Sequence, residues 1–153
     1  MSYLADTNIL LRLIEPAHPM HLDAYGAVEA LLNRGETVYA LPQNVAEFWN
    51  VCTRPADKNG LGFSPAKTDV ELKKLEAIIT VVADIPAIYP FWRSLVVLHA
   101  VSGVQVHDAR IAAAMIAHGI THLLTFNGTD FKRYPGITVL EPKDVIPQTS
   151  PGP

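Results

Sequence analysis

Short apolar segments alternate with longer helical patterns along this chain, and that alternation constrains its fold more than any other feature of the sequence. Five segments have the length and the β-branched or aromatic content of buried strands. They are residues 3–5, 37–41, 80–83, 121–126 and 137–140. The third segment also fits the end of the helix before it, so it has two interpretations.

Helical patterns occupy the intervals between these segments. They cover residues 7–14, 22–34, 42–53, 65–79, 86–101 and 106–118. Ser64 and Pro65 form the N-cap and first turn of one helix, while Gly35 and Gly119 follow two others as C-terminal glycines. Strands joined through helices form parallel crossover units. We therefore predict an α/β domain, a three-layer α/β/α sandwich with a central parallel sheet.

The length and the composition fit one folded domain. At 153 residues and 49% hydrophobic, the chain buries enough surface to need neither a disulfide nor a structural zinc. We assign residues 1–142 to the domain and residues 143–153 to a C-terminal tail, of which 147–153 is rich in Pro, Ser and Gly. The N-terminus lacks signal-peptide features, and no apolar run approaches the roughly 20 residues of a membrane span. We expect no membrane contact and a cytoplasmic location.

Four acidic residues occupy corresponding positions in this pattern. Asp6 directly follows the first strand, and Glu47 lies in the helix after the second. Asp108 opens a later helix, and Asp130 lies in the loop after residues 121–126. In parallel sheets of this kind, ligands bind beyond the carboxyl ends of the strands. We therefore expect the four carboxylates to lie along one edge of the sheet.

Each acid taken alone has a structural explanation. Asp6, Asp108 and Asp130 precede predicted helices or turns, where a carboxylate caps free N–H groups. Capping explains Glu47 poorly, because this residue lies inside its helix among apolar neighbours. Four clustered carboxylates repel one another at pH 7, and a divalent cation removes that repulsion. Oxygen ligands favour Mg²⁺ or Mn²⁺, one ion or two, and the sequence has no zinc-type His or Cys spacing.

A metal site of this kind predicts hydrolysis of phosphodiester bonds. Mg²⁺ held by a few carboxylates keeps several waters and takes its remaining ligands from a phosphate. A metal-bound water then attacks phosphorus while the metal stabilises the charge on the leaving oxygen. The sequence contains no glycine-rich phosphate loop, so nucleotide-cofactor chemistry has no support.

Four short motifs surround the acids in the order Leu4-Ala5-Asp6-Thr7-Asn8, Ala46-Glu47-Phe48, His107-Asp108-Ala109 and Leu124-Thr125-Phe126-Asn127-Gly128-Thr129-Asp130-Phe131. In this order they resemble the PIN-domain ribonucleases, and within them the toxins of VapBC-type toxin–antitoxin pairs. The resemblance covers residues 1–142 and implies a PIN-like nuclease domain that cleaves RNA internally with Mg²⁺ or Mn²⁺. It also implies a cognate antitoxin protein as partner and a homodimer.

The resemblance assigns roles to individual residues. It implies that the metal-binding and catalytic acids are Asp6, Glu47, Asp108 and Asp130. It implies that supporting polar groups, which position the acids or the scissile phosphate, are Thr7 or Asn8, Thr125 and Asn127. Residues beside these acids or of basic character are candidate RNA contacts, namely Arg12, His107, Arg110, Lys132 and Arg133.

Three aromatic residues are candidates for stacking against RNA bases, namely Trp49, Phe91 and Trp92. Aromatic side chains on amphipathic helices more often fill cores or dimer interfaces, so packing is the simpler explanation. The single cysteine, Cys52, has apolar neighbours and is expected to be a buried small residue rather than a reactive thiol.

The net charge of −3 argues against a free-standing basic nucleic-acid binder. Setting the four site acids aside leaves 12 basic side chains against 11 acidic ones. With one or two divalent ions bound, the total runs from −1 to +1. The charge therefore does not exclude RNA, and it predicts that RNA binding requires the metal.

Two other functions compete with this hypothesis. A phosphoaspartate phosphatase or a receiver-like domain also places an Asp after its first strand. The phosphatase pattern needs a second acid two residues later, where this chain has Asn8, and the paired acids of a receiver are absent. A catalytically silent PIN-like module would bind RNA or protein without cleaving. Four mutually repelling acids argue against such a module, because they are costly to keep without a metal.

Overall fold

The computed structural model describes residues 1–146, within which the chain forms five β-strands and seven α-helices. The strands are β1 (Ser2–Ala5), β2 (Thr37–Ala40), β3 (Thr80–Val81), β4 (His122–Leu124) and β5 (Thr138–Leu140). The helices are α1 (Thr7–Leu13), α2 (His21–Asn33), α3 (Pro42–Thr53), α4 (Pro65–Glu76), α5 (Ile88–Leu98), α6 (Gln105–His118) and α7 (Pro142–Val145). Short 3-10 turns lie at Ala56–Lys58 and Thr129–Phe131. Residues 147–153 of the predicted tail lie outside the described residues.

All five strands are parallel and lie in the order β3-β2-β1-β4-β5, which confirms the predicted parallel sheet. β1 is the central strand, with Leu4 opposite Tyr39 of β2 on one side and Leu123 of β4 on the other. The strand interpretation of residues 80–83 is correct for Thr80–Val81, because α4 ends at Glu76 and β3 pairs with β2 at the edge of the sheet.

Helices cover both faces of the sheet. Because successive side chains of a strand point to opposite faces, one strand contributes side chains to two separate cores. Tyr3 and Ala5 of β1 pack into a core formed with α1, α2, α3, α4 and α7. Leu4, which lies between them, packs into a second core formed with α5 and α6. The predicted three-layer α/β/α sandwich is therefore confirmed.

Helix ends with a capping signal follow the sequence closely, α4 ends at Glu76 rather than at residue 79, and one helix is a clear exception. The Ser64 hydroxyl accepts a hydrogen bond from the Lys67 N–H at 3.1 Å, and Gly119 adopts a φ of 69° directly after α6. The exception is α5, which is shorter than the predicted helix over residues 86–101 because Ala100, with a φ of 49°, turns the chain out of the helix. Within residues 1–146, no helix is long and apolar enough to cross a membrane.

The short helix α7 lies beyond the domain boundary predicted at residue 142 and packs on the same core. The Val145 side chain is buried, and its carbonyl accepts a hydrogen bond from the Arg34 guanidinium at 2.8 Å. Ile146 also packs against this core. These contacts join the first residues of the predicted tail to α2.

Candidate metal centre

Asp6 lies directly beyond the carboxyl end of the central strand, and its residue surface is only 8% exposed. Its backbone N–H donates to the Leu124 carbonyl at 3.0 Å, which continues the pairing of β1 with β4. One carboxylate oxygen, Oδ1, accepts from the Thr7 N–H at 2.8 Å, so Asp6 does cap α1 as the structural explanation predicted. The other oxygen, Oδ2, accepts from the Thr125 hydroxyl at 2.8 Å.

The buried Thr125 hydroxyl joins Asp6 to the loop after β4. While it donates to Asp6, it accepts from the Asn8 Nδ2 at 3.0 Å and from the Asn127 backbone N–H at 3.0 Å. The Asn8 Oδ1 in turn accepts from the Phe126 N–H at 3.2 Å. Asn8 therefore contacts Asp6 through Thr125, and Asn127 contributes to the network through its backbone.

Glu47 is held by a second network, which starts at the beginning of α3. The Thr7 hydroxyl donates to the Glu47 Oε2 at 2.7 Å and accepts from the Asn44 Nδ2 at 3.2 Å. The fully buried Asn44 also accepts from the Leu41 N–H at 3.0 Å. Thr7 thus contacts both acids of this part of the site, Asp6 through its backbone and Glu47 through its side chain.

Gln43 links α3 to α6 across the site. Its Nε2 donates to the Glu47 Oε1 at 3.0 Å and to the His107 carbonyl at 2.9 Å. Its Oε1 accepts from the Arg110 guanidinium at 3.2 Å, and Arg110 also pairs with Asp84 at 3.4 Å. Together with Pro42 and Ala46, these residues line an open cleft of about 610 Å³.

Asp108 lies inside α6, which begins at Gln105, so the interpretation of this acid as a helix cap is wrong. The pKa of its carboxyl is raised to about 6, mainly by burial and then by the negative charges of Asp6, Asp130 and Glu47, while His107 lowers it. The contributions of Asp6, Asp130 and Glu47 to this shift indicate that their charges act on Asp108.

Asp130 lies within the 3-10 turn Thr129–Phe131 and caps nothing, since no side-chain capping hydrogen bond forms there. The turn follows Gly128, whose carbonyl accepts from the Phe131 N–H at 3.1 Å. The buried Phe131 packs into the core beneath α6, and this places the preceding acid towards Asp108. The loop after β4 therefore supplies the fourth carboxylate.

Burial also raises the pKa of Asp6, although the hydrogen bonds from Thr125 and Thr7 lower it. The charge of Glu47 adds a smaller increase. Among residues 1–146, none of the four acids forms an ion pair with a Lys or Arg side chain. Within the described residues, the four acids are therefore not neutralised by a direct ion pair with Lys or Arg, although Arg110 lies in the cleft beside Glu47.

The donor chemistry of this site fits a hard divalent cation, since its side-chain ligands are carboxylate oxygens. In the part of the chain that the structure describes, no three His, Cys, Asp or Glu side chains form a close metal-ligand cluster. Within the described residues the four acids therefore do not form a closed coordination shell. An open site of this kind suits Mg²⁺, which keeps several waters and is held by one or two carboxylates.

The candidate RNA contacts fall into two groups. His107 and Arg110 line the cleft beside Glu47. The others are placed differently: Arg12 pairs with Glu15 at 2.6 Å, and Arg133 donates to the Gln105 Oε1 at 2.7 Å. Lys132 is exposed and, with Asn127 and Thr129, lines a separate polar hollow of about 330 Å³ beyond β4 and β5.

The sequence analysis did not single out Gln43, Asn44 or Tyr134. Gln43 lies four residues before Glu47, the spacing at which helical side chains meet, so a pattern search around the acid finds it. Burial raises the pKa of Tyr134, and the charges of Asp108 and Asp130 contribute to the increase. Its ring packs at the base of the site, at an angle of 82° to that of His99. No local motif marks it.

The sequence model of the PIN domain matches residues 3–137. The chain belongs to the PIN-domain family. The structure of this PIN domain is similar to that of VapBC2 from Rickettsia felis bound to a promoter DNA fragment, with a TM-score of 0.69 at 20% identity over 92% of this chain and 98% of that chain. No curated protein matches its sequence significantly.

Two further solved structures share the fold. VapBC-1 from nontypeable Haemophilus influenzae aligns with a TM-score of 0.66 at 15% identity, over 94% of this PIN domain and 99% of that chain. VapC20 from Mycobacterium tuberculosis is a toxin that cleaves the sarcin–ricin loop. It aligns with a TM-score of 0.61 at 16% identity, over 86% of this PIN domain and 94% of that chain. At these identities the likeness establishes the fold.

Proposed function

We propose that this PIN-domain protein is a metal-dependent endoribonuclease and the toxin of a toxin–antitoxin pair. The observation that carries the proposal is the meeting of Asp6 and Glu47 at Thr7, through bonds of 2.8 Å and 2.7 Å, with the pKa of Asp108 raised to about 6 by burial and by the charges of nearby acids. Repulsion of this kind destabilises the metal-free protein, and a bound divalent cation relieves it.

Some residues of the proposed site bind the cation, and others orient the residues that bind it. Asp6, Glu47, Asp108 and Asp130 would hold Mg²⁺ or Mn²⁺, one ion or two, which supplies a nucleophilic water and stabilises charge on the phosphate. The Thr125 hydroxyl fixes one oxygen of Asp6 at 2.8 Å and leaves the remaining lone pairs of that carboxylate for the cation.

Thr7 and Gln43 each fix one oxygen of Glu47, at 2.7 Å and 3.0 Å. They act as positioning residues, because an acid held in one rotamer loses less entropy when it binds a cation. Arg110 and His107 line the cleft on the same side, where a guanidinium attracts the phosphates of an incoming RNA strand. Asn8 and Asn127 support the site through Thr125.

The partners and the location belong to the same proposal. The likeness to solved VapBC complexes supports an antitoxin protein as partner, and we propose with it a homodimer and a cytoplasmic site of action. Co-purification from a host that expresses the neighbouring open reading frames tests the antitoxin, and light scattering of the purified protein tests the dimer. A monomer that retains full ribonuclease activity contradicts the homodimer alone.

Cleavage of RNA by the purified protein tests the activity. We expect Mg²⁺ or Mn²⁺ to support internal cleavage, and we expect EDTA and either Asp6→Asn or Asp108→Asn to abolish it. Asp57→Asn is the matched control, because Asp57 is exposed in the Ala56–Lys58 turn away from the site, and this variant should cleave normally. Cleavage that persists in EDTA, or in a folded Asp6→Asn, Asp108→Asn double variant, contradicts the proposal.

Calorimetry separates this function from that of a silent binding module. An active site of four carboxylates binds Mn²⁺, and the double variant does not. A wild-type protein that binds no Mn²⁺ favours the module. Sequencing of RNA ends after induction, compared with Asp6→Asn, then identifies the target RNA and the cleavage sequence.

A further inference from the structure

An apolar hollow of about 370 Å³ lies beside the metal centre. It is lined by Ile85, Pro86, Ile88, Tyr89, Trp92 and Arg110. Residues 85 and 86 follow β3, so the hollow opens at the carboxyl edge of the sheet, where the four acids also lie. A volume of this size is within the range of pockets that bind small organic groups.

The hollow and the metal centre share one side chain. Arg110 lines both the hollow and the cleft that contains Glu47. It comes two residues after Asp108 on α6, so its backbone moves with that acid. The Trp92 indole N–H donates to the Val106 carbonyl at 2.9 Å, which fixes the ring against the first turn of the same helix.

Two aromatic rings form one wall of the hollow. Tyr89 is 65% exposed, and its ring centroid lies 6.2 Å from that of Trp92 at an interplanar angle of 31°. Flat aromatic surfaces next to a positive charge are typical of sites that bind single-stranded nucleic acid, because bases stack on the rings while the charge attracts the backbone.

We propose that this hollow is a subsite for one unpaired base of the RNA substrate, adjacent to the scissile phosphate. The base stacks on Tyr89 and the exposed edge of Trp92, and the Arg110 guanidinium contacts the phosphate that joins this base to the scissile bond. The proposal rests on the proposed ribonuclease function and adds to it a residue, Tyr89, that positions the RNA strand beside the metal centre.

The weak ion pair between Arg110 and Asp84 is consistent with a contact between Arg110 and a phosphate. Its contact with Asp84 measures 3.4 Å, and the two side chains are 39% and 53% exposed. Exposed ion pairs of this kind contribute little stability, so a phosphate readily replaces the carboxylate. The charge at the rim also favours RNA over an uncharged apolar segment, because a phosphate satisfies the guanidinium while a base stacks on the rings.

Kinetics of Tyr89 variants test the subsite. We expect Tyr89→Ala to raise KM roughly 5- to 100-fold with kcat nearly unchanged, the range that corresponds to loss of one stacked base. Tyr89→Phe, which keeps the ring, should behave like the wild type. Val97→Ala is the matched control, since Val97 is 76% exposed on the same helix outside the hollow, and its KM should not change.

Fluorescence tests binding separately from cleavage. The chain has two tryptophans, so the Trp49→Phe variant reports on Trp92 alone. A single-stranded RNA 12-mer of mixed sequence, added with Ca²⁺ in place of Mg²⁺, should quench this signal. A matched oligonucleotide with one abasic position beside the cleavage site should quench it less and should be cleaved with the raised KM of Tyr89→Ala.

The two experiments distinguish the possible failures. If wild type cleaves RNA but Tyr89→Ala and the abasic substrate have unchanged KM values, the subsite is wrong and the nuclease stands. If the RNA 12-mer quenches the fluorescence of Trp92 but no RNA is cleaved, the base-binding subsite stands and the proposed ribonuclease function is wrong. If Tyr89→Ala changes the oligomeric state and leaves KM unchanged, a second copy of the chain covers this face and the subsite is wrong.

Discussion

Thr125 satisfies three hydrogen-bonding groups with a single hydroxyl. It donates to Asp6 and accepts from Asn8 and from the backbone of Asn127, so its one proton and both lone pairs are used. The residue is fully buried, so water does not replace any of these partners. A change at this position therefore acts on stability and on the geometry of Asp6 together.

Substitution of Thr125 by Val keeps the shape and removes the hydroxyl. We expect the free energy of unfolding to fall by about 1–3 kcal/mol, because buried N–H groups lose their acceptor. We also expect Mn²⁺ affinity to fall roughly 10- to 100-fold, since Asp6 is no longer held. Denaturant titration and calorimetry measure the two effects. Thr138→Val, at an exposed position of β5, should change neither, and an unaltered Mn²⁺ affinity in Thr125→Val contradicts the positioning role.

Asp108 couples the stability of the metal-free protein to pH. The fold raises the pKa of this carboxyl from 3.8 to about 6, so the folded state holds its proton more tightly than the unfolded state. An acid with a raised pKa destabilises the fold when it is ionised. Its unfavourable contribution is therefore present above pH 6 and is relieved as the pH falls from 6 towards 4.

We expect the Tm of the metal-free protein to rise between pH 7.5 and pH 5.5. Asp108→Asn should show a higher Tm than the wild type at pH 7.5 and a smaller rise on acidification, because the repelling charge is gone. For a domain of this size, a gain of about 1 kcal/mol corresponds to roughly 2–4 °C. Scanning calorimetry in EDTA at the two pH values measures both. If the Tm of the wild type and that of Asp108→Asn rise equally on acidification, groups other than Asp108 cause the effect.

At the scale of elements, the loop after β4 depends on close contact with β5. A Cβ on Gly128 would lie 2.3 Å from the Val139 Cγ1, although the φ of −81° at Gly128 is accessible to any residue. The need for glycine is therefore a matter of space rather than backbone strain. Since Asp130 follows in the next turn, any displacement here moves a site acid.

Gly128→Ala should reduce metal-dependent cleavage while the sheet remains folded. The added methyl group forces either the loop or Val139 to move, and overpacking of this kind costs about 1–3 kcal/mol. Gly128→Ala combined with Val139→Ala should recover cleavage, because the smaller side chain makes room. Circular dichroism and cleavage rates measure fold and function. A double variant as impaired as Gly128→Ala alone contradicts the steric explanation.

Local sequence signals predicted elements better than they predicted helix ends. Ser64 and Gly119 have the predicted roles because capping depends on a few neighbouring residues. The end of α5 was missed because Ala100 adopts a left-handed conformation that its residue type does not favour. The start of α6 at Gln105 was missed by one residue, and no side-chain cap marks it.

At the scale of the whole molecule, the positions after strands predicted four candidate acids, but they did not predict the hydrogen-bond networks around Asp6 and Glu47. Thr125 and Asp6 are 119 residues apart, and Thr7 and Glu47 are 40 apart. No local pattern encodes hydrogen bonds over such separations. The PIN-type motifs supplied Thr7, Asn8, Thr125 and Asn127, whereas the contact of Asn44 with Thr7 became visible only once α1 and α3 were placed together.

The charge distribution predicts that RNA binding requires the metal. With Ca²⁺ as a non-cleaving cation, we expect RNA affinity to be at least about tenfold higher than in EDTA, because the ions neutralise carboxylates that repel phosphate. The Asp6→Asn, Asp108→Asn double variant should bind RNA in EDTA more tightly than the wild type does. Fluorescence anisotropy with a labelled 12-mer at fixed salt measures both. Equal wild-type affinity with and without Ca²⁺ contradicts the prediction.

The position of β1 at the centre of the sheet also governs when activity arises during protein synthesis. A ribosome-bound chain that has emerged only as far as α4 contains Asp6 and Glu47, but it has neither the strand that pairs with β1 on its other side nor the acids at 108 and 130. Domains fold as the chain is delivered from its N-terminus. Under the proposed function, the nascent protein would therefore lack a complete site until almost all of the domain has been translated.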